Sequence, residues 1–245
     1  MRICIYGAGA MGTSLGVLLD EMSLDFISHD AEHVAAMNAS GALIEGAITR
    51  CVKVRAKLPS QMEGKYDIII LAVKQRESQN AAQFLYPFLE EDGALVTVQN
   101  GLPETGLAEV FGKDRVYGCT LSWSAEKIAP GTVRVTSDTG FHLALGAYGK
   151  GDKLDAIAAL FSHAGTLTVG NLAEIRYAKL AVNASFSTLS AISGMTFLQL
   201  AKKHKKLVLG LMREVFAVAR ANGCTRLMQN GHDIMKLFGG KFASF

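Results

Sequence analysis

The sequence predicts an α/β fold, a doubly wound parallel sheet, followed by a smaller all-α domain. Three observations carry this expectation. An N-terminal apolar run, Arg2–Tyr6, ends in Gly7-Ala8-Gly9-Ala10-Met11-Gly12. Two later runs, Tyr66–Val73 and Ala94–Val98, are apolar almost throughout, the pattern of strands covered on both faces. From about Asn171 the glycines thin out and long helix-compatible stretches take over.

Taken in order, Arg2–Tyr6 reads as the first strand and Thr13–Met22 as a helix, with Leu15, Val17, Leu18 and Leu19 clustered on one side. Leu24–Ser28 reads as a second strand closing at His29-Asp30. Glu32–Ala39 follows as a helix stopped by Ser40-Gly41. Strands alternating with helices make a parallel, doubly wound sheet the expected architecture of the first half. In the second half, helices are expected over Leu172–Ser193, Phe197–Lys206 and Leu207–Asn222, the last ending at Asn222-Gly223. A boundary between 165 and 172 divides a domain over 1–168 from one over 169–245.

Composition narrows the function classes. Hydrophobic residues make up 49% of the 245, charged residues 19%, and there are only four prolines, which excludes a disordered or low-complexity chain. Twenty-five basic against 22 acidic residues leave a net charge of +3, too mild to indicate a nucleic-acid partner. Lys202-Lys203-His204-Lys205-Lys206 reads as a solvated helix end. Cys4, Cys51, Cys119 and Cys224 are scattered without paired spacing, and His29, His33, His142 and His163 form no ligand pattern. No metal site or disulfide framework is therefore expected, and a reducing cytoplasm suits the chain. The apolar runs are too short to span a bilayer, and the N-terminus lacks the segments of a signal peptide. Trp123 reads as core.

Gly7-x-Gly9-x-x-Gly12 follows a strand and opens a helix, the context a dinucleotide fingerprint requires. The first glycine permits the tight turn and the second lets a pyrophosphate approach the backbone. The third lets helix and strand pack closely, while the helix terminus offers N–H groups and partial positive charge. Gly7, Ala8, Gly9, Ala10, Met11 and Gly12 are therefore candidate cofactor-binding residues. Asp30, 18 residues beyond Gly12, ends the second strand, where a carboxylate takes ribose hydroxyls and repels a 2′-phosphate. With Ala31 next and no adjacent arginine, this tilts towards NADH; Asp30 as a plain helix cap is the competing reading. Lys74-Gln75 and Gln99-Asn100-Gly101 end two further strands on one rim. Asn100 is placed to orient a nicotinamide or a substrate oxygen, or else simply makes an Asn-Gly turn. Lys179, Asn183 and Ser187, at i, i+4 and i+8, form a polar stripe on an otherwise apolar helix. A ligand carrying oxygens would supply its partners, as would solvent or a neighbouring helix.

These segments together resemble the ketopantoate reductase (2-dehydropantoate 2-reductase) family: Gly7–Gly12, Ala72-Val73-Lys74, Gln99-Asn100-Gly101, Pro130-Gly131-Thr132-Val133 and the Lys179–Asn183 helix, in order. The resemblance implies a Rossmann-type domain joined to a helical substrate and dimerisation domain, with NADP(H) reducing a 2-oxo acid in the cleft between them. The reaction it implies is 2-dehydropantoate to pantoate, a step of pantothenate biosynthesis. It gives Lys179 the catalytic role. Asn183 holds substrate, while Asn100 and Lys74 lie around nicotinamide and cofactor. Ser187 stands where the family commonly has a second asparagine, and Asp30-Ala31 lacks its frequent arginine, so NAD(H) stays open beside NADP(H). Ser244 matches a substrate-binding serine, but the glutamate that follows in the family has no counterpart before Phe245. The helical domain is thus expected to be incomplete relative to the family. A homodimer through that domain is also implied. The alternatives are another hydroxyacid dehydrogenase or a catalytically inactive NAD(P)-binding protein.

Overall fold

Ile3, Cys4, Ile5 and Tyr6 are all buried, as a strand in mid-sheet must be, and they form β1 (Ile3–Tyr6). The computed structural model describes residues 1–19, 24–137, 140–229 and 232–238, which divide into two units, Met1–Val169 and Gly170–Phe245. In the first unit β1 is followed by α1 (Ala10–Leu18), β2 (Leu24–Ile27), α2 (Ala31–Ser40), β3 (Ala42–Gly46), β4 (Arg50–Val52) and β5 (Arg55–Lys57). Then come β6 (Tyr66–Leu71), α3 (Ser78–Leu85), β7 (Leu89–Thr97), α4 (Glu104–Phe111) and β8 (Val116–Leu121). The unit closes with β9 (Ser124–Ala129), β10 (Thr132–Thr136), β11 (His142–Ala147), α5 (Leu154–Ser162) and β12 (Thr166–Val169).

The main sheet has the order β12-β11-β8-β7-β6-β1-β2-β5. Strands β5 through β8 in that order are parallel, while β11 pairs antiparallel with β8 and carries β12 beside it. The chain leaves β1 for β2 on one side and returns to β6 on the other. The order therefore reverses at β1/β6, the point where open sheets of this kind receive ligands beyond the strands' carboxyl ends. Ile68–Leu71 of β6 are at most 2% exposed, as expected of a strand covered on both faces.

Three differences from the sequence expectation have physical causes. Helix α1 begins at Ala10, not Thr13, so Gly12 lies inside its first turn and Gly9 is its N-cap. Strand β7 begins at Leu89, because Glu90-Glu91-Asp92 interrupt the apolar pattern without interrupting the strand. The third difference is a second sheet, β4-β3-β10-β9, which joins β3 in parallel to β10 across a long stretch of sequence. Ala42, Ile44, Val133 and Val135 from this sheet share a core with Leu15 and Val17 of α1. Trp123 is buried in the same core, its indole N–H on Ser14 Oγ at 3.0 Å. The β9–β10 hairpin turns at Pro130-Gly131, and its register slips by one so that Val133 faces Lys127 rather than Ile128.

The second unit opens with Asn171, whose side chain accepts from the Glu174 N–H and caps α6 (Leu172–Val182). A π-helical turn, Asn183–Ser187, leads into α7 (Thr188–Ser193), α8 (Phe197–Lys203) and α9 (Lys205–Ala221). Among the described residues, β13 (Met228–Gln229), β14 (His232–Asp233) and α10 (Ile234–Phe238) follow, so the helical unit also carries a small antiparallel pair of strands. Val208, Met212, Phe216 and Ala219 of α9 pack with Tyr177, Ala178 and Ala181 of α6. None of the four cysteines is in a disulfide. Among the described residues no helix is long and apolar enough to cross a membrane, and no acidic, histidine or cysteine cluster could hold a metal ion.

Candidate active site

The glycine turn is built from its backbone outward. The N–H groups of Gly7 and Ala8 both donate to the Ile27 carbonyl, at 2.9 and 2.8 Å, fixing the turn against the end of β2. Gly7 has φ +97°, and a Cβ there would lie 2.7 Å from the Val73 nitrogen, so this position admits only glycine. Gly12 packs on the Gly7 carbonyl and Ile5 with the same intolerance. Gly9 is different. A Cβ on it would meet nothing within 4 Å, and it caps α1 without a side-chain bond. The amides of Ala10, Met11 and Gly12 open α1 directly after it, where a helix has no carbonyl of its own to accept them. That is a cradle for a pyrophosphate, closed behind by Gly7 and Gly12 and open in front at Gly9.

The other sequence-predicted residues of this unit end neighbouring strands on the same rim. Lys74 and Asn100 are exposed after β6 and β7. Beside Asn100, Gln99 is buried and structural: its amide donates to the Val73 carbonyl at 2.9 Å and Ser78 Oγ at 2.7 Å. It latches the two strand ends together. A cleft of about 490 Å³ is lined by Tyr6, His29, Val73, Glu77, Asn80, Ala81 and Phe84, a set that includes neither Lys74 nor Asn100.

Asp30 caps α2, its Oδ1 accepting the His33 N–H at 3.0 Å, while Oδ2 receives the ammonium of Lys127 from β9. These two contacts hold its carboxyl below the ordinary aspartate range, the Lys127 bond first. No arginine adjoins Asp30 along the chain, but the hairpin delivers a lysine to it.

His33, which no spacing in the sequence marks as a site residue, connects this hairpin to the glycine turn. The Gly131 N–H donates to Nδ1 at 2.8 Å, so Nε2 carries the proton and donates to Thr13 Oγ1 at 3.1 Å. Thr13 in turn donates to the Ala8 carbonyl at 3.2 Å. Burial, and then the Lys127 charge, push the His33 imidazole below its usual range, which keeps it neutral.

In the second unit, Lys179 and Asn183 are half-buried and Ser187 exposed. Burial lowers the Lys179 ammonium from the ordinary lysine range. The regular i, i+4, i+8 stripe needs correcting. Asn183–Ser187 is a π turn, in which the Thr188 N–H reaches back five residues to the Asn183 carbonyl. An α-helix completes a turn in 3.6 residues, whereas here four residues fall short of one, so Ser187 is rotated off the α-helical stripe. Ser244 lies outside the described residues.

A family profile described as ketopantoate reductase PanE/ApbA matches residues 3–149, and its C-terminal counterpart matches residues 171–238. The chain belongs to the ketopantoate reductase family. As a member it is a nicotinamide-dependent oxidoreductase. Among the relatives of this family member, the 2-dehydropantoate 2-reductase of Pyrococcus abyssi is 29% identical over 240 residues, covering 94% of this chain and 75% of the relative. That of Mesorhizobium japonicum is 29% identical over 224 residues, covering 80% and 68%. The crystal structure of 2-dehydropantoate 2-reductase from Geobacter metallireducens superposes with a TM-score of 0.83 at 28% identity, covering 94% of this chain and 79% of that one. D-mandelate dehydrogenase, solved with NADH and anilino(oxo)acetate, shares the fold with a TM-score of 0.82 at 24% identity, covering 94% and 76%.

Proposed function

We propose that this ketopantoate reductase family member reduces a 2-oxo acid, 2-dehydropantoate to pantoate, with Lys179 as general acid. The observation that carries the reading is the glycine turn, sealed at Gly7 and Gly12 and open at Gly9, which fits a dinucleotide pyrophosphate. The nicotinamide, when bound, supplies hydride to the carbonyl carbon. Gly7 to Gly12 hold the pyrophosphate, Asp30 and Lys74 flank the adenosine end, and Asn100 orients the reacting groups. Charge then builds on the carbonyl oxygen, and Lys179 stabilises it and gives it a proton. Its lowered pKa supports that role, since a desolvated ammonium releases a proton more readily. Asn183, with Ser187 and Ser244, holds the substrate carboxylate. The helical unit is also read as the surface through which two copies pair, supported by Ile192 and Leu198, 79% and 65% exposed. The scattered thiols suit a cytoplasmic setting.

The test is an assay of NADH and NADPH oxidation by the purified protein against a panel of 2-oxo acids, with Lys179→Ala beside the parent. The parent should turn over 2-dehydropantoate. Lys179→Ala should lose about 10²–10⁴ in kcat while its dinucleotide Kd stays unchanged. A parent rate that survives Lys179→Ala removes the lysine from the mechanism; dinucleotide binding with no turnover of any 2-oxo acid removes the reductase reading.

A further inference from the structure

Resting on the dinucleotide reading above, we infer that Lys127 of the β9–β10 hairpin selects the cofactor, admitting the 2′-phosphate of NADPH at the end of β2. In this architecture the residues just after β2 meet the adenosine ribose, and Asp30 stands there, three residues beyond Ile27, as the N-cap of α2. A carboxylate there selects against the phosphate when its two oxygens are available to the ribose hydroxyls and its charge is unopposed. Neither condition holds. Asp30 Oδ1 is committed to the His33 N–H that it caps, and Oδ2 to the Lys127 ammonium. What the strand end presents is an ion pair, not a lone anion.

The ammonium has three donors, of which Asp30 takes one, and the lysine side chain is 41% exposed, so a phosphate can share it. The hairpin's slipped register aims it there. With Val133 opposite Lys127, the lysine lies on the sheet face that also carries Val133, Val135 and Ala125, all packed in or against the core with α1. A lysine on that inward face, ending beside the cap of α2, has no role in the apolar packing around it.

The experiment is calorimetric titration of the parent, Lys127→Ala and Lys127→Arg with NADPH, NADH, 2′,5′-ADP and 5′-ADP. The parent should bind NADPH and 2′,5′-ADP at least about tenfold more tightly than NADH and 5′-ADP, the scale of one charge-assisted contact. Lys127→Ala frees Asp30 Oδ2 and leaves its charge unopposed. It should therefore weaken NADPH and 2′,5′-ADP by at least about tenfold and erase or invert the preference, without weakening NADH or 5′-ADP by more than about twofold; Lys127→Arg should keep the preference. The side chain is at the surface, and circular dichroism of each variant checks that the fold is kept. A parent that favours NADH, or a Lys127→Ala variant that weakens all four ligands equally or none, overturns the inference while leaving dinucleotide binding intact. A parent that binds none of the four overturns the dinucleotide reading, and this inference with it.

Discussion

Gly7 and Gly9 stand two residues apart and answer an added side chain in opposite ways. At Gly7 the backbone has φ +97° and a Cβ would strike the Val73 nitrogen, so Gly7→Ala should destabilise the fold itself by about 1–3 kcal/mol. Gly9 has φ −87°, which any residue adopts, and open space in front of it. Gly9→Val should therefore leave the urea midpoint close to that of the parent yet raise the dinucleotide Kd by more than about tenfold, or 1.4 kcal/mol. Calorimetry on the folded variant checks this; unchanged affinity would remove the turn from the binding site.

Among elements, the coupling of greatest consequence runs from the β9–β10 hairpin through α2 to α1, by way of Gly131, His33, Thr13 and Ala8. It holds only with a neutral imidazole, because a proton on Nδ1 would face the Gly131 N–H. Burial and Lys127 lower the His33 pKa, while the Asp30 charge opposes them. The unfolded chain binds a proton near pH 6.5, above the folded value, so this contribution to stability is complete above about pH 6.5. It is lost as the pH falls through the folded pKa, with a slope of at most about 1.4 kcal/mol per pH unit. Thermal melts from pH 7.5 to 5 should show a decline that His33→Gln flattens; an identical slope in the variant would exclude the imidazole as its source. None of this coupling is legible in the sequence. Local patterning reveals β1, β2, β6 and the helical stretches from α6 to α9, since each is written in contiguous residues, but not α10. The β3/β10 pairing, the Asp30–Lys127 ion pair and the His33 relay each join positions some 90 to 98 residues apart, which no window of periodicity reaches. The π turn escapes for another reason: Asn183–Ser187 has no residue that an ordinary α-helix would refuse.

At the scale of the molecule, the apolar cores are drawn separately, from residues 3–167 in the first unit and 173–238 in the second. The glycine turn, the β2 terminus and the hairpin all belong to the first. A fragment of residues 1–169 should accordingly fold, bind dinucleotide within a few-fold of the intact chain, and reduce nothing, because Lys179 and Asn183 are gone. Calorimetry and the oxidation assay on the fragment check both halves of that statement; a fragment that fails to fold would show that the first core is not self-sufficient. The second sheet gives the same unit a further property. Its hairpin reaches Asp30 through Lys127 and the His33 imidazole through the Gly131 N–H, while Val133 and Val135 pack in the core shared with α1. If Lys127 selects the cofactor as inferred above, the preference travels with this hairpin. A hairpin transplanted from a relative should rewrite the choice of reductant and leave the turn in place, provided it keeps the Gly131 amide on His33 and the apolar residues packed with α1.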